Sequence, residues 1–277
     1  MSAAPFPDVD VIIAAHDAGA SLADAVASAR REVAPGRVIV VDSGSIDGAV
    51  GRAAAEFPDI RVIRTEDRGL AAAGNAGLVA TCGEFVVFLA SDAVLDERSV
   101  DTLVSRARAN RTAGIVAPRV TDADGSTREG SFGAFPALLH AVVSGVNQIV
   151  HRSAKGKDAR SWLEVHGTTS VDWVTGACML VRRHAVEAVG AMDEGFSRHF
   201  GDIDWCRRMH DGGWVVLLEP LSTCVHASAL VGAEEAPAAT KVYRADFLHY
   251  CKLHRLHAYA FVARIGLTGR RPAGGRG

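Results

Sequence analysis

Carboxylates follow three apolar runs in the first third of the chain, at the points where those runs stop. Asp17 follows VDVIIAAH, Asp42 follows RVIVV and Asp92 follows EFVVFLAS. Unbroken runs of Val, Ile and Leu are typical of strands covered on both faces of a parallel sheet, and such sheets bind ligands at the carboxyl ends of their strands. We therefore expect these carboxylates to share one rim and to bind a ligand there.

Two of these carboxylates suit different parts of a nucleotide. Asp42 opens the turn DSGSIDG and could accept hydrogen bonds from a nucleobase N–H or ribose hydroxyls, although Asp and Ser also form turns and caps. We assign Asp47, in the same turn, to capping. Asp92 offers the oxygen ligand that a hard cation bridging two phosphates requires. Its alternative role is to cap the next helix, for which Asp96 is better placed.

A second group of candidates lies near the other end of the chain. Asp202 and Asp204 occur in HFGDIDWCRRM, near the start of a predicted helix. A helix N-terminus favours carboxylates electrostatically, and two acids this close also suit a general base beside a group that orients it. His226 ends the predicted strand STCVH and is either a satisfied core residue or a metal ligand.

Alternating strands and helices must position these residues. The first 120 residues read as five strands separated by four amphipathic or small-residue helices, which indicates a parallel α/β sheet. After Arg119 the chain becomes turn-rich, and HRSAKGKDARS reads as a loop. SVDWVTGACMLVRR reads as a strand-like run, RHAVEAVGAM and GDIDWCRRMHDGG as helices, and WVVLLEP and STCVHAS as two strands. A basic, helical tail follows Thr240.

Composition excludes several classes of protein. The net charge of −2 over 277 residues disfavours a nucleic-acid binder. Five scattered cysteines without a C-x-x-C fit reduced thiols in the cytoplasm. The sequence shows no signal peptide and no apolar run of transmembrane length. It also lacks G-x-G-x-x-G after the first strand, which disfavours a dehydrogenase.

Several motifs occur together in a recognisable order: VDVIIAAHD, IVVDSGSIDGA, RGLAAAGNAGLVATCGEFVVFLASDAVL, VDWVTGACMLVRRHAVEAVGAMDEGF, HFGDIDWCRRMHDGGWVVLLEP and CVHAS. They resemble the family 2 inverting glycosyltransferases of the GT-A fold, within them the bacterial rhamnosyltransferase-like branch. The resemblance covers about residues 8–230 and is most specific between Val171 and His226. It implies a GT-A-like, Rossmann-type, mostly parallel sheet with flanking helices and a C-terminal helical extension.

The resemblance also implies roles for individual residues. Asp42 corresponds to the residue that contacts the donor base, Asp92 to the last Asp of the D-x-D metal motif, and His226 to a late histidine near the metal. Asp202 corresponds to the general base, with Asp204 beside it. The cofactor would be Mg²⁺ or Mn²⁺. Three further residues are expected to contact the donor: Ala14, Asp17 and Asn75.

Three positions depart from the family pattern. Ala90 replaces an acidic or amide residue before the metal Asp, Gly201 replaces an acid before the base, and Gly74 replaces an arginine. These losses keep open a weak or inactive nucleotide-sugar-binding scaffold of the same fold. A nucleotidyltransferase is a second alternative, although the turn AAHDAGAS after the first strand lacks the basic phosphate loop of that class.

The expected organisation is one GT-A domain with a tail. Residues 1–120 form the nucleotide-sugar-binding half, 121–230 the acceptor and catalytic half, and 231–277 the tail; the segment 121–170 is predicted to be an acceptor loop or lid. The expected partners are a dTDP- or UDP-sugar and a saccharide or polyprenyl-linked acceptor. The basic tail predicts either peripheral contact with the inner face of the plasma membrane, or packing on the domain or on a second copy in a homodimer.

Overall fold

The centre of the protein is a sheet that is nine-stranded over the residues described by the computed structural model, namely 8–135, 167–226 and 237–257. The strands are β1 Val9–Ala15, β2 Val38–Ser43, β3 Arg61–Thr65, β4 Phe85–Ala90, β5 Ala93–Leu95, β6 Ala113–Thr121, β7 Phe132–Gly133, β8 Thr169–Val171, β9 Trp173–Val174, β10 Cys178–Arg182 and β11 Val215–His226. The helices are α1 Ser21–Glu32, α2 Ala49–Glu56, α3 Leu70–Val79, α4 Ser99–Ala109, α5 Arg183–Val189, α6 Gly201–Asp211 and α7 Pro237–Leu253.

The strand order is β3-β2-β1-β4-β10-β6-β11-β5, with β8 also paired to β11. The strands β3, β2, β1 and β4 are parallel, as are β6 and β11. β10 runs antiparallel between β4 and β6, so the sheet is mixed and mostly parallel as predicted. β7 and β9 form a separate two-stranded ribbon. This topology brings the carboxyl ends of β1, β2 and β4 to one edge.

Three predicted strand runs differ from the observed elements. The run SVDWVTGACMLVRR is divided into β8, β9 and β10, and no two of these strands share a neighbour. Conversely, WVVLLEP and STCVHAS join into the single strand β11, whose register against β6 shifts between Glu219 and Thr223. Pro220 lies within that shift, and a proline lacks the N–H that a regular ladder needs. The apolar pattern therefore continues through a local break.

Hydrophobic residues pack against both faces of the sheet. Along β1, Ile12 belongs to the cluster that includes Trp205 of α6, while Val11 and Ile13 belong to the cluster that includes Leu103 of α4. Successive side chains on a strand point to opposite faces, so an uninterrupted apolar run requires cover on both. The prediction of doubly covered strands is confirmed.

The C-terminal helix α7 packs on the domain through its described residues. Phe247, Tyr250 and Cys251 are buried in the same cluster as Trp205. Residues 241–257 of the tail therefore pack on the domain, which was one of the predicted alternatives. The residues beyond 257, and most of the predicted lid at 121–170, lie outside those described. None of the described helices combines the length and the apolar character that a membrane span needs.

Helix capping follows the prediction at one position and departs from it at another. The Asp47 carboxylate accepts a hydrogen bond from the Ala49 N–H at 2.9 Å, at the start of α2, which confirms its capping role. At α4, the expected cap Asp96 instead receives a hydrogen bond from the Thr223 hydroxyl. The backbone N–H groups at the N-terminus of α4 are bound by Glu32 of α1, which accepts from Arg98 and Val100 at 2.8 and 3.0 Å. A cap from a distant helix leaves no local sequence signal.

Candidate active site

A cavity of about 580 Å³ opens at the carboxyl ends of β1, β4 and β11. Its floor includes Ala14 of β1, Ala90 at the end of β4 and the segment Thr175–Ala177 before β10. The loop before α6 closes one side. The polar side chains that line the cavity are His16, Asp17, Ser21, Ser91, Asp92, Thr175, Ser197, Arg198, Asp202 and His226. The structure thus brings predicted site residues from both halves of the chain to one concave surface.

Asp92 and His226 lie side by side in this cavity. The Nε2 atom of His226 is 3.0 Å from Oδ1 of Asp92, because β11 pairs with β5 so that His226 lies opposite Ala93. The guanidinium of the buried Arg128 donates to the backbone carbonyl of His226, which fixes the strand end. Ala90 lines the same cavity, as expected for a residue two positions before Asp92.

The pair of Asp92 and His226 fits a divalent cation with an incomplete protein shell. A carboxylate oxygen and an imidazole nitrogen are suitable ligands, but the described residues contain no cluster of three or more His, Cys, Asp or Glu side chains arranged to hold a metal. Such a cation would need phosphate oxygens or water to complete its coordination. The donor set therefore fits a metal whose remaining ligands are oxygens of water or phosphate.

Asp202 lies on the floor of the cavity at the first turn of α6. Its carboxylate accepts hydrogen bonds from the Gly176 and Ile203 N–H groups at 2.8 and 2.9 Å. Burial raises the pKa of the Asp202 carboxyl above its ordinary value, against these hydrogen bonds, which act in the opposite direction. A carboxylate that is oriented by backbone donors, and that binds a proton more readily than usual, is suited to act as a general base.

Asp204 is not part of the cavity, although it was predicted as a catalytic partner of Asp202. Its side chain is buried at 1% exposure, and its two oxygens bind Arg208 and His254, each at 2.8 Å. Residues two apart on a helix point in different directions, so a helical D-x-D cannot present both acids to one ligand. The structure places Asp204 between α6 and α7.

Asn75 is not among the residues that line the cavity, although its hydrogen-bond partner Met192 is, and its contact with a donor stays a prediction. Its carboxamide donates to the carbonyl of Met192 at 2.9 Å and accepts from the Met192 N–H at 3.1 Å. Asn75 therefore ties α3 to the turn after α5. The neighbouring Gly74 allows this close packing, because a Cβ there would lie 2.5 Å from the Met192 methyl group and 3.1 Å from the Phe88 ring. By contrast, a side chain at Gly201 would meet only ordinary contacts.

Asp42 lies beside a second cavity, of about 380 Å³, which Arg64 and Thr65 also line. Its Oδ1 accepts from the Ser45 N–H at 2.9 Å, and its Oδ2 lies 3.7 Å from Nε of Arg64. Asp17 of the first cavity contacts the turn that follows Asp42. Its carboxylate accepts hydrogen bonds from the N–H groups of Ile46 and Asp47 at 2.8 and 3.2 Å. A contact between Asp42 and a nucleobase stays a prediction.

The cavity residues that sequence reasoning missed include a histidine and an arginine, His16 and Arg198. His16 lies next to Asp17 at the end of the first strand, which was a usable signal, and its Nδ1 lies 2.7 Å from the Ser43 carbonyl oxygen. That hydrogen bond raises the pKa of the His16 imidazole. Arg198 lies in a loop whose sequence, FSRHF, gives no hint of a site.

The fold and the cavity at its strand ends define the class of a GT-A transferase. Residues 10–190 match the model of Glycosyl transferase family 2, so the chain belongs to that family. It is a glycosyltransferase, as its motifs predicted, its curated relatives support the rhamnosyltransferase-like branch, and the nucleotidyltransferase alternative is set aside.

Two similar curated proteins are known from Mycobacterium tuberculosis. The chain is 28% identical, over 212 residues, to its N-acetylglucosaminyl-diphospho-decaprenol L-rhamnosyltransferase. The aligned region covers 70% of this chain and 67% of that protein. It is also 28% identical, over 257 residues, to the pre-mycofactocin glycosyltransferase, and this alignment covers 84% of this chain and 48% of that protein. The chain thus spans about half of the second relative.

Two solved structures share the fold. GalNAc-T7 with UDP, GalNAc and Mn²⁺ superposes with a TM-score of 0.63 at 16% identity, over 88% of this chain and 48% of that one. The mannosyltransferase PcManGT from Pyrobaculum calidifontis, with GDP-Man and Mn²⁺, superposes with a TM-score of 0.56 at 20% identity. The superposition covers 99% of this chain and 79% of that one. At these identities the similarity establishes the GT-A fold.

Proposed function

We propose that the protein transfers a sugar, with inversion, from a nucleoside-diphosphate sugar to a hydroxyl of a saccharide or polyprenyl-linked acceptor. The observation that carries this proposal is the position of Asp202 in the same cavity as the Asp92–His226 pair. A base and a metal-binding pair on one cavity match the two ends of a displacement: the attacking hydroxyl and the departing diphosphate. A scaffold that only binds would not need an oriented carboxylate with a raised pKa at this point.

In this mechanism the chain's own residues bind the donor and move one proton. Asp42, in the smaller cavity, accepts hydrogen bonds from the nucleobase or ribose. Asp202 accepts the proton of the acceptor hydroxyl as its oxygen attacks the anomeric carbon from the face opposite the diphosphate. Configuration inverts because a single displacement takes place. Asp92 and His226 would hold Mg²⁺ or Mn²⁺, which supplies positive charge to the leaving diphosphate when bound.

The relatives support a choice of sugar and acceptor. The similarity to a decaprenol-linked rhamnosyltransferase supports rhamnose as the sugar and a polyprenyl-diphosphate saccharide as the acceptor. The GT-A structures contain UDP or GDP-Man together with Mn²⁺, which supports a nucleoside-diphosphate donor and a divalent cation. A dTDP- or UDP-sugar is the donor we propose.

The test is release of nucleoside diphosphate from a panel of dTDP-, UDP- and GDP-sugars, with Mn²⁺ or Mg²⁺ and a lipid-diphosphate-linked N-acetylglucosamine acceptor. We expect acceptor-dependent release from one donor class, and loss of this release in Asp202→Asn. Tight donor binding without transfer or hydrolysis, unchanged by Asp202→Asn, would instead identify the non-catalytic scaffold.

A further inference from the structure

The loop that leads into α6 is anchored at both ends by buried aromatic side chains. The ring of Phe196 lies 4.7 Å from the His249 imidazole of α7, measured between centroids. The ring of Phe200 lies 5.1–5.7 Å from three aromatic rings of α7, those of Tyr243, Phe247 and Tyr250. Both anchors are nearly inaccessible to solvent. The intervening residues 197–199 therefore span two fixed points.

A carboxylate from α7 holds the backbone of these intervening residues. Asp246, which is 2% exposed, accepts hydrogen bonds from the N–H groups of Ser197, Arg198 and His199 at 3.0, 3.0 and 2.8 Å. On the other side, Gly69 approaches so closely that a Cβ there would lie 2.8 Å from the Ser197 carbonyl oxygen. The backbone that carries Arg198 is thus fixed from two directions.

The side chain of Arg198 is exposed and lines the cavity with Asp92, Asp202 and His226. Within the described ranges, its guanidinium has no recorded ion pair with a carboxylate, whereas the guanidinium of Arg208 binds Asp204. Ala90 stands where the family pattern has an acidic or amide residue near the metal, and Gly201 stands where it has an acid before the base. The cavity therefore has less negative charge than the family pattern implies. The guanidinium of Arg198 adds a positive charge that can bind a ligand.

We propose that Arg198 binds a diphosphate in this cavity and that Asp246 of α7 positions it for that contact. Guanidinium and phosphate form paired, charge-assisted hydrogen bonds, and an arginine on a fixed backbone loses little freedom on binding. The proposal rests on the proposed function, which brings a diphosphate to this place. The diphosphate belongs either to the donor nucleotide or to the polyprenyl acceptor.

Calorimetric titration of wild type, Arg198→Gln and Arg198→Lys distinguishes these sources. The probes are dTDP and UDP, with Mn²⁺ or with excess chelator, and farnesyl diphosphate as a short acceptor mimic. We expect Arg198→Gln to weaken binding roughly 10–100-fold, the range for a hydrogen bond to a charged group, and Arg198→Lys to restore part of it. Loss with the nucleotides identifies the donor diphosphate, and loss with farnesyl diphosphate alone identifies the acceptor.

The matched control is Arg31→Gln, which removes an exposed arginine of α1 outside the cavity and should change no affinity. Asp246→Asn should weaken the same ligand as Arg198→Gln, and should cause no further loss in the Arg198→Gln background. Equal affinities of wild type and Arg198→Gln for every probe would overturn this inference while leaving the proposed function intact. A wild type that binds no nucleoside diphosphate would overturn both. Arg198 is exposed, so its variants should fold even if Asp246→Asn does not.

Discussion

The imidazole of His226 lies 3.0 Å from the carboxylate of Asp92, although 134 positions separate the two residues in the chain. Antiparallel pairing of β5 with the last residues of β11 produces this contact. The side chains of Asp92 and His226 are 28% and 19% exposed, respectively, so each can reach a ligand in the cavity. The pair contains a single carboxylate, and an acid at position 90 would supply a second one.

Metal binding should therefore depend on a nucleotide. We expect Mn²⁺ alone to leave the Tm nearly unchanged and Mn²⁺ with the correct nucleoside diphosphate to raise it clearly, because phosphate oxygens complete the metal's coordination. Asp92→Asn should abolish the joint effect. Differential scanning fluorimetry with each component alone and combined measures this.

The control for the metal prediction restores the missing acid. Ala90→Asp adds a carboxylate on the side of β4 that lines the cavity, so it should make Mn²⁺ alone stabilising. Nucleotide binding that is equally strong in excess chelator, and insensitive to Asp92→Asn, would make Asp92 a structural residue and remove the metal site.

Asp202→Asn should lower turnover by roughly 10²–10⁴-fold, the usual contribution of a general base, with donor affinity largely intact. Because burial raises the pKa of the Asp202 carboxyl, the base becomes protonated, and activity falls, at a higher pH than for an ordinary aspartate. The acidic limb of the kcat/KM profile should therefore lie above the ordinary range. An unshifted limb, or near-normal turnover of Asp202→Asn, would assign the base elsewhere.

Much of the fold was predictable because its signals are local. Apolar runs such as the one ending at Asp92 predicted doubly covered strands, and those strands were found with helices on both faces. The antiparallel insertion of β10 was not predictable, since its Val- and Leu-rich run looks the same in either direction. The capping of α4 by Glu32 depends on a contact between helices distant in sequence.

The candidate site was predictable where a residue ends a strand and obscure where tertiary packing decides its direction. Asp92 and His226 end or follow strands that reach one edge, so they converge as expected. Asn75 and Asp204 matched a pattern, yet neither lines the cavity, and their polar groups are bound by the Met192 backbone and by Arg208. Arg198 lies in the cavity because Asp246 of α7 binds the backbone of its loop. The spacing of residues near Arg198 gives no sign of this long-range contact.

Asp204→Asn should affect stability more than chemistry. The carboxylate is buried between Arg208 and His254, and removing one partner of a buried ion pair costs about 3–5 kcal/mol. Urea denaturation should show that loss, while turnover of the folded protein falls by less than the roughly 10²-fold minimum expected for a base. The control is Asp211→Asn, an exposed acid on the same helix, which should be nearly neutral. A large loss of turnover at unchanged stability would return Asp204 to catalysis.

The tail prediction concerns the residues after α7. Since residues 241–257 pack on the domain, a chain ending near Thr240 would lose Asp246 and Tyr250 and should unfold more easily. A chain ending at His257 keeps that packing and removes four arginines: Arg264, Arg270, Arg271 and Arg276. Each arginine near an anionic surface contributes about 1 kcal/mol of binding, so the full chain should co-sediment with phosphatidylglycerol vesicles more strongly than the chain ending at His257.

Two further comparisons give this experiment its controls. A full-length chain with all four arginines changed to glutamine should bind the vesicles as weakly as the chain ending at His257, because both lose the same charge. Neutral phosphatidylcholine vesicles, or 1 M salt, should remove the difference between the full and shortened chains, since screening acts over about 3 Å at that ionic strength. Equal sedimentation of all three proteins with anionic vesicles would exclude a membrane role for the residues beyond 257, and would leave α7 as a purely structural element that positions the loop before Asp202.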